Sequence, residues 1–443
     1  VRARTMTRLE QMLGESPYVA YLYGYPHKTA YRPFTPPLSL ESVWAEERRD
    51  ALFLYFHVPF CEMRCGFCNL FTAAGPRQDV VDGYLGALER ETQRVKDALG
   101  RASFARLALG GGTPTLLDVA GLNKVFDLAE KVLGADPRNI PVSVEVSPET
   151  VDAEKLRTLR SRGTDRVSMG VQSFIEAEVA AVKRPQKTAQ VESALDLIRS
   201  TGFPTLNLDL IYGMEGQTPE SFLYSLRETL RFSPEEIYLY PLYVRPLTFL
   251  GKKARAWDDL RLSLYRTGRD FLLSQGYTQV SMRMFRAKHA PDAGGPVYRC
   301  QEDGMVGLGC GARSYTGAVH YSSEYAVGSR EVRNIIASYS ARTAESFGEV
   351  GYGFRLDEGE RRRRFMLLSL LAEGVDLAAY RARFGAEVLE DFPELLELEA
   401  HGLGLRDATG LRLTAAGVER SDLIGPWLHS DGVRSLSSEY AWR

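Results

Sequence analysis

Apolar residues recur along this chain in two alternating arrangements. Short runs of aliphatic, β-branched and aromatic residues bounded by turn formers occur at Leu52 to Val58, Leu107 to Leu109, Val142 to Val146, Arg166 to Met169, Thr205 to Ile211, Ile237 to Tyr240 and Tyr277 to Ser281. Between them, apolar residues fall at helical spacing, as in Tyr84-Leu85-Leu88, Leu122-Val125-Phe126-Leu128-Ala129, Leu156-Leu159, Val191-Ala194-Leu195-Leu197-Ile198 and Phe222-Leu223-Leu226-Leu230. Strand then helix, repeating at roughly 30 to 40 residues, predicts βαβ units and a parallel sheet. Six or so units do not complete an eight-fold barrel. The expected fold class is therefore α/β, a partial (β/α)6 TIM-type barrel over residues 51–285. In such folds the loops that follow the strands' C-terminal ends carry the chemistry.

The flanks differ. Residues 1–50 form a Tyr/Pro-rich arm, with five tyrosines between Tyr18 and Tyr31 and then Pro33, Pro36 and Pro37, a density that forbids a long helix. The arm is expected either to pack on the barrel or to lie as a lid over one side of it. Residues 286–350 read as a connecting segment. From 351 to 443 helical patterns at Arg362 to Leu371, Leu377 to Phe384 and Leu389 to Leu403 precede a Gly-turn hairpin from Leu405 to Thr414, and Thr414 caps a further helix from Ala415. Helices with a hairpin wing predict a mostly helical, winged-helix-like C-terminal domain.

Composition narrows the function. The 443 residues carry a formal net charge of −2, which gives no global basic surface for nucleic acid. The one dense basic block, Arg361-Arg362-Arg363-Arg364, opens a helical pattern and is read as a solvated helix face. The acids between Glu387 and Glu399 oppose phosphate contact. No apolar stretch is long enough to span a membrane, and the N-terminus lacks a basic region followed by an apolar core. Five cysteines, three of them in one loop, do not make a disulfide framework, and a cytoplasmic location is expected.

Those three are Cys61, Cys65 and Cys68, spaced C-x3-C-x2-C just behind the first predicted strand. A structural zinc site wants four closed ligands, and no fourth Cys or His follows at finger-like spacing. A 4Fe–4S cluster held by three thiolates keeps one iron open for another ligand. This spacing, with Phe67 before the last cysteine, resembles the signature of the radical S-adenosylmethionine (SAM) superfamily. The flanking Tyr55-Phe56-His57-Val58-Pro59-Phe60 resembles its oxygen-independent coproporphyrinogen III oxidase branch.

The polar motifs follow the later strands in order. They are Gly110-Gly111-Gly112-Thr113-Pro114, Glu145 in Val144-Glu145-Val146, Gly170-Val171-Gln172, Arg184, and Asn207-Leu208-Asp209-Leu210-Ile211-Tyr212-Gly213 with Gln217. The resemblance implies that Cys61, Cys65 and Cys68 are the cluster ligands and catalytic residues. It also implies that Gly111, Gly112, Thr113 and Glu145 meet the methionine end of SAM, Arg184 its carboxylate, Gln172 and Asp209 the ribose, and Tyr55, Phe67 and Ile211 the rest of the cofactor. Gly307-Leu308-Gly309-Cys310-Gly311-Ala312 resembles the branch's LGxGxxA turn, and Gln301 before it corresponds to a glutamine that helps hold a second SAM. Cys300 and Cys310 are read as small core residues.

The implied reaction is reductive cleavage of SAM to methionine and a 5′-deoxyadenosyl radical that takes hydrogen from a small-molecule substrate. The implied cofactors are a 4Fe–4S cluster and one SAM or two. The implied reductant is a flavodoxin or ferredoxin, and the chain is expected to act as a monomer without a membrane or nucleic-acid partner. Leu70 stands where the oxidase has a fourth cysteine, so a substrate other than coproporphyrinogen is expected. Two alternatives stand beside this reading: a two-SAM methyltransferase, in which one SAM is the methylene radical donor, and a non-catalytic haem chaperone.

Overall fold

The computed structural model describes residues 6–22, 24–252, 260–292 and 294–442; Tyr23 of the arm, with residues 1–5, 253–259, Ala293 and Arg443, lies outside the described residues. The chain is organised on one mixed sheet. Its strands are β1 (Arg32–Ser39), β2 (Leu52–Val58), β3 (Phe104–Gly111), β4 (Val142–Val146), β5 (Arg166–Gln172), β6 (Thr205–Tyr212) and β7 (Glu236–Pro241), followed by β8 (Thr278–Gln279), β9 (Met284–Arg286), β10 (Met305–Leu308), β11 (Arg313–Tyr315), β12 (Val319–Ser322) and β13 (Glu349–Arg355). Their order is β1-β13-β12-β11-β10-β2-β3-β4-β5-β6-β7-β9-β8. From β10 through β7 all pairings are parallel. The two ends of the order are not paired with each other, so the strands form an open curved wall with six βα-type strands at its centre.

The helices between the strands begin where the sequence supplies caps. Asp118 accepts from Gly121 N at 2.7 Å, Asp152 from Lys155 N at 2.8 Å, and Thr218, followed by Pro219, from Ser221 N at 3.2 Å. Each helix covers the same face of the sheet. Leu54, Phe56, Leu107, Val144, Val167, Leu208 and Leu239 lie in one core with Leu85, Leu88, Leu122, Leu156, Leu195 and Leu226 of the helices. Because strand side chains alternate, the intervening positions share the other face. There stand Tyr55, Gly110, Glu145, Arg166, Ser168, Gly170, Asp209, Glu236, Tyr238 and Tyr240, and this polar inner face is what positions the site.

Several expectations change. The run Tyr277 to Ser281 is no further βα unit: only Thr278–Gln279 is strand, and it pairs antiparallel with β9. The extra parallel strand is instead β10, on the other side of β2. The arm contains a helix, Arg8–Leu13, and the edge strand β1, whose register against β13 slips between Pro33 and Leu38 around its prolines. Leu9, Tyr25 and Ala30 of the arm belong to a second core with the C-terminal helices. The arm also reaches the inner wall, where Tyr21 packs on Tyr240, while Tyr18 packs on Tyr212 in the helix-covered core.

In the C-terminal region the helices Glu358–Ala372 and Leu377–Phe384 form as expected, with a small sheet of Val375–Asp376, Gly404–Arg406 and Gly410–Leu413. The pattern from Leu389 to Leu403 breaks into short pieces, Val388–Asp391, Pro393–Leu395 and Leu396–Ala400, because Pro393 cannot continue a helix. The basic block is not a solvated face. Arg362 pairs with Asp391 and Glu358, Arg363 with Glu394, and Arg364 is buried against the carbonyls of Cys300 and Gln301. The acidic run is thus partly neutralised within the domain. No helix among the described residues is long and apolar enough to cross a membrane.

One buried ion pair ties the C-terminal region to the sheet: Arg283 donates to Asp422 at 2.5 Å, with side-chain exposures of 5% and 2%, and Tyr243 donates to the same carboxylate. Removing one partner leaves a buried charge uncompensated. Asp422→Ala is expected to destabilise the protein by about 3 kcal/mol, read as a lowered denaturation midpoint in calorimetry; an unchanged midpoint would contradict this role.

Candidate functional site

The cysteine loop leaves the C-terminal end of β2 and is held from three sides. Phe60–Cys61 pairs with Ala73–Ala74, Gly66 N donates to Val182 O at 2.8 Å, and Arg64 donates to Ser329 Oγ at 3.0 Å and to the carbonyls of Cys68 and Val327. A side chain at Gly66 would place its Cβ 2.8 Å from Val182 O, so only glycine permits that approach. Thr113 Oγ1 donates to Cys61 Sγ at 3.8 Å, Cys68 Sγ lies 3.9 Å from Thr72 Oγ1, and Arg184 Nη1 donates to Cys65 Sγ at 3.2 Å. Burial pushes the Cys61 thiol up to about 12, with Cys68 the next cause, and burial likewise raises Cys68. Thiols so placed ionise readily only when a metal neutralises them. Among the described residues no three His, Cys, Asp or Glu side chains are placed to share one metal ion.

The glycine motif after β3 runs beneath this loop. Gly112 N donates to Val58 O and Thr113 N to Phe60 O, each at 2.7 Å, while Gly111 N donates to Glu145 Oε2 at 3.1 Å. A Cβ on Gly110 would meet the Glu145 carboxyl carbon at 2.9 Å, and one on Gly111 the His57 ring at 2.4 Å. Glu145 has exposed surface, yet its carboxyl is pushed up to about 7 with burial as the largest cause. Both hold if it borders a hollow that protein encloses. Asp209 faces the same space, pushed up to about 6 by burial, and accepts from Asn207 Nδ2 at 2.7 Å. Gln172 ends β5 at a register slip with φ +69, a left-handed backbone that costs a non-glycine residue energy and is characteristic of functional turns. Arg184 reaches in beside it, donating to Gly170 O at 2.7 Å. Phe67 and Ile211 meet in a small apolar cluster with Val182, Met214, Leu242 and Tyr240, apart from the main core. His57 connects the loop to the wall: its Nδ1 lies 3.1 Å from Tyr55 OH and its Nε2 2.9 Å from Phe71 O.

Contacts near the C-terminal ends of consecutive strands thus link Gly111 with Glu145, Thr113 with Cys61, Arg184 with Cys65 and Gly170, and Phe67 with Ile211. The structure does not bring Gln301 to the cysteine loop. That residue precedes β10, whose first residue pairs with Phe53 near the opposite end of β2; its side chain meets Cys300 and its carbonyl Arg364. Gln217 faces its own turn, bonded to Gly213 N, Ile211 O and Glu178. Cys310 is buried, while Cys300 is half-buried at the edge of the C-terminal core. Sequence reasoning missed the floor of the hollow, where Arg166 bridges Glu236 at 2.7 Å and Ser143 at 2.9 Å and Asn207 donates to Ser168 at 2.8 Å. The available signal was polar residues at every second position of otherwise apolar strands.

A family model described as the Radical SAM superfamily matches residues 55–228, and one described as the HemN C-terminal domain matches residues 356–419. The oxygen-independent coproporphyrinogen III oxidase of Escherichia coli (strain K12) is 28% identical over 430 residues, covering 90% of this chain and 91% of that protein. The heme chaperone HemW of Bacillus subtilis (strain 168) is 30% identical over 269 residues, covering 59% of this chain and 70% of that protein. The solved structure of coproporphyrinogen III oxidase (HemN) from Escherichia coli aligns with a TM-score of 0.76 at 24% identity, over 95% of this chain and 98% of that one, and shares its fold. The chain belongs to the radical SAM superfamily, whose cofactors are a 4Fe–4S cluster and SAM, in the branch that holds the oxygen-independent coproporphyrinogen III oxidases and the HemW heme chaperones.

Proposed function

We propose that this protein is a radical SAM enzyme that removes hydrogen from a small anionic substrate related to, but distinct from, coproporphyrinogen. The observation that carries the reading is the convergence of three thiols, an acceptor pair and a guanidinium on one enclosed hollow. Cys61, Cys65 and Cys68 would hold the cluster. Glu145 and the Gly111-Gly112-Thr113 backbone would take the ammonium end of SAM, Arg184 its carboxylate, Asp209 and Gln172 the ribose, and Phe67 with Ile211 the adenine side. When bound, the cluster and SAM supply electron-driven cleavage of SAM to methionine and a 5′-deoxyadenosyl radical. The protein's own work is to orient these groups and to exclude water, which the arm supports by packing Tyr18 and Tyr21 over the ends of β6 and β7.

The substrate class rests on a second observation. Between the arm, β11 and β12 and the C-terminal region, the cations Lys28, Arg313 and Arg364 gather around His320. The Lys28 ammonium lies 3.3 Å over the Tyr325 ring and is held well below its ordinary pKa, by burial first and by Arg313 second. Arg364 donates to the carbonyls of Cys300 at 2.5 Å and Gln301 at 3.3 Å, and among the described residues His320, 1% exposed, has neither ring nitrogen bonded. Crowding cations in a buried region is costly, and a ligand bearing several carboxylates would relieve that cost. The reading carries with it a one-electron donor of the flavodoxin or ferredoxin kind, a monomeric state, a cytoplasmic location and domain limits near residues 50, 285 and 350.

A second reading, haem carriage without catalysis, is favoured by the HemW relatives, and one experiment separates the two. Anaerobically reconstituted protein with SAM and a reductant is expected to form 5′-deoxyadenosine; no turnover together with tight haem binding would contradict the enzyme. Cys65→Ala is expected to lose the cluster's visible absorbance, and retention of a full cluster would overturn the ligand assignment. Glu145 also predicts a pH effect. A carboxyl whose folded pKa lies above its unfolded value of about 4.3 stabilises the fold fully below that pH and progressively less as pH rises to about 7. In cluster-free protein, Glu145→Gln should therefore flatten the fall of the thermal midpoint across this window; parallel wild-type and variant profiles would contradict the enclosure of this carboxyl.

A further inference from the structure

Two surface segments meet on the residue that follows Cys65. From one side comes the turn after β7, where Leu250 N donates to Gly66 O at 3.1 Å and the Leu250 side chain joins Phe67 in the small apolar cluster. From the other side the Val182 carbonyl takes the Gly66 N–H, and Lys183 stands so close that a Cβ on Gly66 would lie 3.1 Å from the Lys183 Cβ. The turn itself is closed from Arg245 to Gly251. Thr248 Oγ1 donates to Arg245 O at 2.7 Å and accepts from Gly251 N at 3.0 Å, and a Cβ on Gly251 would stand 2.0 Å from Arg245 O, so only glycine closes it.

That closure decides what faces outward. Thr248 is 2% exposed while Leu247 and Phe249 on either side of it are 42% and 45% exposed, so the turn buries its polar residue and presents its apolar ones. The arrangement is held at a cost. Leu247 and Lys183, neither of them glycine, have left-handed φ of +67 and +54. The Lys183 ammonium lies 5.1 Å over the Phe249 ring, which joins the two segments into one surface with an apolar centre and a cationic edge. The first residue after Cys61 carries the other sign: Glu62 lines a cleft with Asp82 and Asp118 and its side chain meets Glu149. A partner with an acidic rim is drawn to the Lys183 side and repelled from the Glu62 side.

We propose that Leu247, Phe249 and Lys183 form the docking surface for an acidic, flavin-bearing electron-transfer protein, whose apolar flavin edge meets Phe249 and whose rim acids meet Lys183. This rests on the radical SAM reading above, which requires an electron from outside the chain at the cysteine loop. One electron passes from the donor's reduced flavin to the oxidised cluster, and no covalent bond forms or breaks. The small size of the patch suits such a partner, because electron-transfer encounters are transient and lie at the low end of interface areas.

The test is the rate at which the cluster of anaerobically reconstituted protein is reduced, followed by stopped-flow absorbance with either flavodoxin hydroquinone or dithionite. Dithionite is small and needs no docking. With flavodoxin, Phe249→Ser and Lys183→Glu are each expected to lower the second-order rate about tenfold, while the dithionite rate stays within about twofold of the wild type. The wild-type flavodoxin rate should fall with added salt, and Lys183→Glu should flatten that dependence. Tyr224→Ser, at an exposed ring on the helix Pro219–Leu230, is expected to change neither rate. If one of the two variants loses its cluster, Leu247→Ser takes its place. Flavodoxin rates within about twofold of the wild type in the surface variants would overturn the proposal. So would wild-type protein that dithionite reduces and flavodoxin does not. Protein that both reductants reduce, but that then forms no 5′-deoxyadenosine from SAM, would overturn the enzyme reading instead.

Discussion

A parallel sheet with one face sealed under helices has only its other face on which to place polar side chains, and everything functional in this protein follows from that constraint. The helices bury the even-numbered residues of β2 completely, Leu52, Leu54, Phe56 and Val58. The alternate positions of β3 to β7 then point Gly110, Glu145, Gly170, Asp209 and Tyr240 into one shared space. The strands' common direction brings their C-terminal ends, and so the loops that follow, to one side of it. The cysteine loop, the glycine turn and the bulge at Gln172 are consequences of three strands ending together.

Much of this was legible in the chain. The apolar runs predict β2, β4, β6 and β7 to within a residue or two, because strands covered by helices read as nearly continuous apolar segments. The cysteine loop and the glycine, glutamine and NxDLIYG motifs are legible because each sits where a strand must turn. Other features depend on contacts between distant segments. β10 is a four-residue strand whose parallel pairing with β2 could not be read from so short a run. β1 hides behind its prolines and forms only because it lies at an edge. The basic block at 361–364 and the acids at 387–399 look like two solvated surfaces in sequence, yet Arg362 and Arg363 cross to Asp391 and Glu394. Gln301 matches a motif by spacing, but the segment that carries it enters the sheet at the end away from the cysteine loop.

The hollow is also where the fold gives up stability. Glu145 and Asp209 are carboxyls driven toward neutrality by enclosure, and Gln172 holds a left-handed backbone. Each is unfavourable in isolation. The compensation lies elsewhere, in the helix-covered core, in the Arg283–Asp422 pair and in the Glu419 carboxylate bonded by Arg266, Arg269 and Arg420. Those ionic contacts join the C-terminal region to the sheet and to the helix that carries Arg266 and Arg269.

In the proposed function Cys61, Cys65 and Cys68 would hold a cluster to which SAM binds beside Glu145, Arg184 and Asp209. Electron paramagnetic resonance of the reconstituted, chemically reduced protein addresses it directly, with spectra taken before and after SAM is added. A reduced 4Fe–4S signal whose g-values shift on adding SAM is the predicted result. A spectrum that SAM leaves unchanged, in protein carrying a full cluster, would contradict it.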